Sequence, residues 1–212
     1  MREERERTAA TPLRRSRRVL IELARIFSTV CNPFVTAIVL YVILAHAYAT
    51  DTLTFWSWLF VSTFFSSVGP MLYVLLLYWS GRVSDLDMSV RREREDVFSV
   101  FVISYFLGTL SLYAMRAPPI IYASMAGYTA AAFLVQVITR HWKISTHALG
   151  ITAPLVALVV LYGREPLPFA VLIPIVGWSR VYLKAHTVLQ VLAGTLLGFL
   201  SVYIFFRLLH VI

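Results

Sequence analysis

Side chains able to handle a phosphate group are concentrated in the last third of the chain. Ser179 and Arg180 are followed, after five intervening residues, by His186, and a Ser-Thr-His segment occupies 145–147. A phosphate ester needs donors that hold its negative charge, and arginine suits this task. It also needs a nucleophile and an acid that protonates the leaving oxygen, and both are roles open to histidine. These residue types therefore suit the chemistry of a phosphate site.

The composition indicates that this site lies in a membrane protein. Of 212 residues, 59% are apolar and only 14% are charged, and the mean hydropathy is +0.75. Ten of the 11 acidic residues lie at or before Asp96, and Glu165 is the only later one. A soluble fold could not cover its surface with that distribution, so the chain is predicted to be a membrane domain. The single cysteine excludes a disulfide within one chain.

The apolar runs predict an all-α fold, a polytopic transmembrane helix bundle of six to seven spans with an N-terminal amphipathic helix. The runs fall at about 31–49, 54–80, 97–115, 119–138, 146–162, 167–182 and 187–209. The fifth and sixth are short for a hydrocarbon core of about 30 Å, which leaves six spans open as an alternative.

The charge pattern divides the chain into three parts. Residues 1–16 are charged and expected to be disordered, 17–30 form the interfacial helix, and 31–212 form one transmembrane domain. The net charge of +8 fits the positive-inside rule better than a nucleic-acid partner, which is not expected.

The basic residues also predict an orientation. With a cytoplasmic N-terminus, only three of the 19 basic residues fall on the other side of the membrane. That orientation places the loops Gly81–Asp96, Thr139–His147 and Ser179–His186 together on the cytoplasmic face. The expected location is the plasma membrane of a bacterium or archaeon.

The two polar groups and their spacing resemble the type-2 phosphatidic acid phosphatase superfamily, which is related to bacterial acid phosphatases and vanadium haloperoxidases. Its motifs are written K-x6-R-P, P-S-G-H and S-R-x5-H-x3-D. Ser179, Arg180 and His186 match the third motif, and the segment 145–147 is similar to the second with threonine in place of glycine. The resemblance covers roughly residues 119–209.

This resemblance implies a role for each residue of the candidate site. His186 would be the nucleophile that forms a phosphohistidine, and His147 would be the general acid. Arg180, Ser145 and Thr146 would bind the substrate phosphate, and neither a metal nor a cofactor would be required.

The first motif of the family is not present in its usual form. Arg140 and Lys143 stand just before the second motif, and Lys143 is four residues before His147, so one helical face could carry both. Alternatively, the basic residues of the 81–96 loop could fold over the site. They are Arg91, Arg92 and Arg94. We favour the pair Arg140 and Lys143.

The third motif departs from the family pattern at Gln190, which stands where the family has aspartate. Glutamine can accept a hydrogen bond from the His186 ring and fix its tautomer, but it cannot offset a positive charge on the ring. After it, Gly194 and Gly198 form a small-xxx-small pair that predicts close helix packing.

Two functions follow from these patterns. The first is a phosphoric ester or diphosphate hydrolase that acts on a phosphorylated lipid, either a polyprenyl phosphate or diphosphate, or phosphatidic acid. The alternative is a membrane protein derived from this family that binds phospholipids or serves in an assembly without turnover. The expected partners are the phosphorylated lipid and membrane lipids, and a homo-oligomer is possible in either case.

Overall fold

The computed structural model describes residues 12–86 and 90–212, and all regular structure within them is helical, which confirms the all-α class. The helices are α1 Pro12–Val30, α2 Pro33–Tyr48, α3 Thr52–Thr63, α4 Gly69–Trp79, α5 Arg91–Ala114, α6 Pro119–Thr139, α7 Thr146–Tyr162, α8 Leu172–Tyr182 and α9 Val188–Leu208. A π-helical turn, Phe64–Val68, joins α3 to α4, and a 3-10 turn, Leu167–Val171, leads into α8.

Within residues 12–86 and 90–212, four helical stretches are long and apolar enough to cross a membrane. They are Thr52–Trp79, Val97–Ala114, Pro119–Thr139 and Val188–Leu208. The pair α1 and α2, bent by 46° at its break, would make a fifth span if it crosses as one unit. Helix α7 and the stretch Leu167–Tyr182 are apolar but shorter. The predicted count of six to seven spans depends on these shorter helices and stays a prediction.

Helix α1 begins at Pro12, earlier than the predicted start at Arg17, and residues 1–11 lie outside the described residues. It ends where Asn32 caps α2, because the Asn32 side chain accepts a hydrogen bond from the Phe34 N–H at 2.9 Å. Pro33 at the first position of α2 suits this start, since proline there loses no helical hydrogen bond.

Three faces of α1 meet three different environments. Ala24 and Ser28 are buried against the rest of the protein. Glu22 and Arg25 form an exposed ion pair of 3.1 Å, and on the remaining face apolar side chains such as Ile26 are exposed. This division suits a helix that lies in the membrane interface while one stripe packs on the bundle.

The glycine pair of α9 sets how closely that helix approaches α7. A Cβ atom on Gly194 would lie 2.2 Å from the carbonyl oxygen of Ser145, and one on Gly198 would lie 2.7 Å from that of Leu149. Only glycine permits these approaches, which confirms the predicted packing role of the pair. The contact brings the N-terminal ends of α7 and α9 side by side.

The three predicted site loops meet at one end of the bundle, although the first is shorter than expected. Helix α5 begins at Arg91, so the predicted loop Gly81–Asp96 is helical over its last six residues. Leu86 of this loop lines a cavity together with Thr146 and His147. The second and third loops contact each other directly, since Lys143 donates to the Ala185 carbonyl.

Candidate active site

The five-residue spacing between Arg180 and His186 has a local structural cause. Helix α8 ends in a Schellman turn, in which the Lys184 N–H donates to the Val181 carbonyl and the Ala185 N–H donates to the Arg180 carbonyl. Lys184 adopts the left-handed conformation that this turn requires, with φ of 56°. His186, the residue after Ala185, donates its own N–H to the Arg180 carbonyl at 3.2 Å. The turn therefore returns the histidine to the end of the helix that carries the arginine.

Helix α9 begins immediately after His186 with a capping box. The Thr187 hydroxyl accepts from the Gln190 N–H at 3.3 Å, and the Gln190 side-chain oxygen accepts from the Thr187 N–H at 3.1 Å. This reciprocal pair satisfies two backbone donors at the helix start. It also fixes the Gln190 side chain on the side of the preceding histidine.

The same Gln190 oxygen lies 3.1 Å from Nδ1 of His186. An amide oxygen only accepts hydrogen bonds, so the imidazole must donate from Nδ1. In the neutral ring the other nitrogen, Nε2, then carries the lone pair. Gln190 therefore selects the tautomer whose Nε2 is nucleophilic, although it stands where the family has aspartate.

The second motif is placed by the start of α7. The Ser145 hydroxyl accepts from the Ala148 N–H at 3.3 Å and caps the helix, which puts Thr146 and the buried His147 in its first turn. The Ser145 N–H donates to the Gln190 carbonyl at 3.1 Å. This bond joins the second motif directly to the third, across a stretch that contains two helices.

Lys143 reaches the site by a different route from the one its spacing predicted. Helix α7 begins at Thr146, so Lys143 lies in the connecting turn and shares no helical face with His147, and that part of the prediction is wrong. Its Nζ instead donates to the Ala185 carbonyl at 3.4 Å, next to His186. Arg140 caps the end of α6 and is exposed. The side chains of Arg91, Arg92 and Arg94 lie outside the described part of the structure.

Arg180 is buried, and its partner comes from a helix that the motifs do not include. Its Nη1 donates to the hydroxyl of Ser28, which is also buried, on α1. Sequence reasoning missed Ser28. The available signal was the spacing of the small residues Ala24 and Ser28 on one face of the otherwise bulky α1, with Cys31 directly after the helix, which indicates a close helix contact.

For a phosphatase of the kind that the sequence resemblance implies, we expect Ser28→Ala to lower phosphate release about tenfold. A hydrogen bond to a charged group contributes about 1.5–3 kcal/mol, and about 1.4 kcal/mol corresponds to a factor of ten in rate. Steady-state kinetics on the purified protein measure this effect, with Thr29→Ala, one residue along and exposed, as the matched control. Ser28→Thr keeps the hydroxyl and should retain most of the activity. Equal activity of Ser28→Ala and the wild type would show that α1 does not position Arg180.

A buried arginine and two histidines at neighbouring helix starts, in an apolar helix bundle, define a candidate phosphate site of a membrane protein. The model of the PAP2 superfamily matches residues 96–211, more than half of the chain, and the chain belongs to this superfamily. The match begins earlier than the resemblance over 119–209 and takes in most of α5. No curated protein matches the chain, and no solved structure does.

Members of the superfamily are typically phosphatases acting on phosphate esters, including those of lipids. The match covers both histidine motifs, whereas α1 to α4 precede it. Ser28 and Asn32 therefore belong to a part of the chain that the family pattern does not describe.

Proposed function

We propose that this protein is a membrane phosphatase that hydrolyses a phosphorylated lipid through a phosphohistidine on His186. The observation that carries the proposal is the double role of the Gln190 oxygen, which accepts from the Thr187 N–H and from the His186 ring at 3.1 Å each. The Thr187 N–H fixes the Gln190 side chain, and this side chain accepts from Nδ1 of His186. Nε2 of His186 is then the nucleophilic atom.

In the first step Nε2 of His186 attacks phosphorus, and the bond between phosphorus and the lipid oxygen breaks. His147 gives its proton to the departing oxygen, so the lipid alcohol leaves neutral. With a diphosphate substrate, the leaving group is the lipid monophosphate. The Nδ1–H···Gln190 hydrogen bond holds the ring in place while positive charge develops on it.

In the second step a water molecule attacks the phosphohistidine. His147, now neutral, takes a proton from this water, and the bond between Nε2 and phosphorus breaks to release inorganic phosphate. Both steps use the same two histidines, whose helix starts are tied by the Ser145–Gln190 backbone bond.

The phosphate group would be held by three kinds of donor. The N-terminus of α7 attracts anions through its backbone N–H groups and helix dipole, and Thr146 and His147 lie in its first turn. The guanidinium of Arg180 is planar, with donors that match phosphate oxygens. Lys143 adds a positive charge beside His186. Arg140 is exposed, so it is better placed to attract the anionic substrate from solution than to bind its phosphate.

The proposal is tested by measuring inorganic phosphate released by the purified protein in detergent. Farnesyl phosphate, farnesyl diphosphate and didecanoyl phosphatidic acid serve as substrates, and the His147→Ala protein is the comparison. Release by the wild type, strongly reduced in the variant, supports the proposal. Binding of these lipids without release from any of them would favour the alternative of a non-catalytic lipid-binding protein, which the neutral Gln190 side chain also suits.

We expect Gln190→Glu to raise the turnover number about tenfold. Glutamate keeps the oxygen that accepts from Thr187 and His186, and it adds a negative charge beside the ring when the ring becomes cationic. The reverse change beside a catalytic histidine, aspartate to asparagine in a serine protease, lowers turnover about 10⁴-fold. Gln190→Met is the matched variant without an oxygen, and it should fall below the wild type. A drop of similar size in both variants would contradict this role of Gln190.

A further inference from the structure

A cavity of about 80 Å³ begins at the first turn of α7, where Thr146 and His147 line it, and lies between α2, α5, α6 and α7. Neither Arg180 nor His186 lines it, so the cavity starts at His147 and extends from there away from Arg180 and His186. Aromatic rings form much of its wall. They are Phe34, Phe98, Phe101, Tyr105 and Tyr128.

The size of the cavity limits what it can hold. One water-sized group needs about 10–15 Å³ of such space, so the cavity takes about six groups of that size. That is room for the first few carbons of one hydrocarbon chain and not for two chains side by side. The alanines Ala37, Ala131 and Ala132 leave this room between the helices, because larger side chains there would fill it.

One polar group in the cavity wall distinguishes among hydrocarbon chains. Tyr128 is buried, and within the described residues its hydroxyl has no hydrogen-bond partner. It lies near the middle of α6 and lines the same cavity as Thr146 and His147. A saturated hydrocarbon chain has no hydrogen-bond acceptor for this hydroxyl, whereas the π electrons of a carbon–carbon double bond accept a weak hydrogen bond.

We infer that the cavity binds the first part of a single unsaturated isoprenoid chain whose phosphate lies at His147. The substrate class is then a polyprenyl phosphate or diphosphate, and a diacyl phosphatidic acid fits poorly. This inference rests on the proposed function, since it assumes that the phosphate end of the ligand is the group that reacts. The one-chain room and the Tyr128 hydroxyl favour an isoprenoid tail, because a single apolar chain fits the cavity and its double bond can accept a weak hydrogen bond from that hydroxyl.

The first experiment compares kcat/KM for farnesyl phosphate with that for didecanoyl phosphatidic acid. The wild type should prefer the farnesyl substrate at least about tenfold, the factor that corresponds to roughly 1.4 kcal/mol. Ala131→Phe places a ring in the cavity and should reduce this preference to near unity. Leu134→Phe, on the same helix but exposed on its outer side, is the matched control and should keep the preference. Equal kcat/KM values of the wild type for both substrates would overturn the inference.

A second variant covers the case in which Ala131→Phe does not fold, as judged by thermal unfolding in detergent. Tyr128→Phe removes only the hydroxyl, and it should lower the preference for farnesyl phosphate over dodecyl phosphate by a factor of about two to five, the range of a weak hydrogen bond. An unchanged preference contradicts the role of the hydroxyl and, with an unfolded Ala131→Phe protein, overturns the inference.

Binding measurements separate this inference from the proposed function. Farnesyl phosphate and didecanoyl phosphatidic acid are titrated into the His186→Ala protein, whose turnover is expected to be too slow to consume the ligand. Tighter binding of farnesyl phosphate, lost with Ala131→Phe added, supports the cavity even if the wild type releases no phosphate. Phosphate release from both lipids with equal binding would leave the proposed function intact and reject the cavity.

Discussion

Replacing His186 with alanine is expected to reduce phosphate release from a lipid phosphate by at least about 10³-fold. Removal of a covalent nucleophile lowers turnover by about 10⁶ in a serine protease, and the smaller figure allows for residual catalysis by the remaining phosphate-binding groups. Alanine removes the Nε2 atom, and His186 is the histidine directly before the cap of α9, so no neighbouring residue in the sequence can supply the same atom. Steady-state assays on the purified variant measure the loss.

The intermediate provides a second readout that a merely structural effect would not reproduce. A phosphohistidine is stable in alkali and labile in acid, so labelled substrate should leave such a label on the wild type and none on His186→Ala. His46→Ala is the matched control, because His46 is exposed near the end of α2 that lies away from the site. Full activity of His186→Ala would contradict the mechanism, and an acid-stable label would point to another nucleophile.

Gly194→Ala is expected to destabilise the protein and to lower its activity more than any substitution outside the two motifs. The added Cβ would lie 2.2 Å from the Ser145 carbonyl oxygen, so α9 and α7 must move apart. Overpacking of this kind costs about 1–3 kcal/mol, more than alanine returns through its helix propensity. The shift also strains the bond from the Ser145 N–H to the Gln190 carbonyl, which ties the histidine motifs together.

A second glycine separates stability from activity. Gly198→Ala makes a similar contact, 2.7 Å from the Leu149 carbonyl oxygen, but one turn further from the site. Thermal unfolding in detergent should show comparable destabilisation for both variants, and phosphate release should fall further in Gly194→Ala. Leu196→Ala, on the exposed side of α9, should leave both measurements unchanged. Equal activity losses in the two glycine variants would show that the site tolerates the displacement.

The local parts of this site follow closely from the sequence. The segment from Ser179 to His186 contains the end of α8 and a Schellman turn, and His186 directly precedes Thr187, the cap of α9. The hydrogen bonds that form this segment join residues at most six positions apart. The helix starts at Thr146 and Val188 agree with the apolar runs predicted from 146 and 187 to within a residue. The acceptor role of Gln190 was also predicted, because Gln190 stands at the motif position where the resembling family has the aspartate that holds the histidine ring.

The sequence by itself determined the all-helical membrane class, the order of the helices, the two histidine motifs and the glycine pair, because all of these depend on local composition and periodicity. Only the tertiary structure decided that the Ser28 hydroxyl accepts a hydrogen bond from Arg180, that Lys143 reaches Ala185 and that a one-chain cavity opens beside His147. Ser28 and Arg180 are 152 residues apart, and their contact depends on how α1 packs on the bundle. Packing of this kind depends on the shapes of several helices at once, so no single stretch of sequence encodes it.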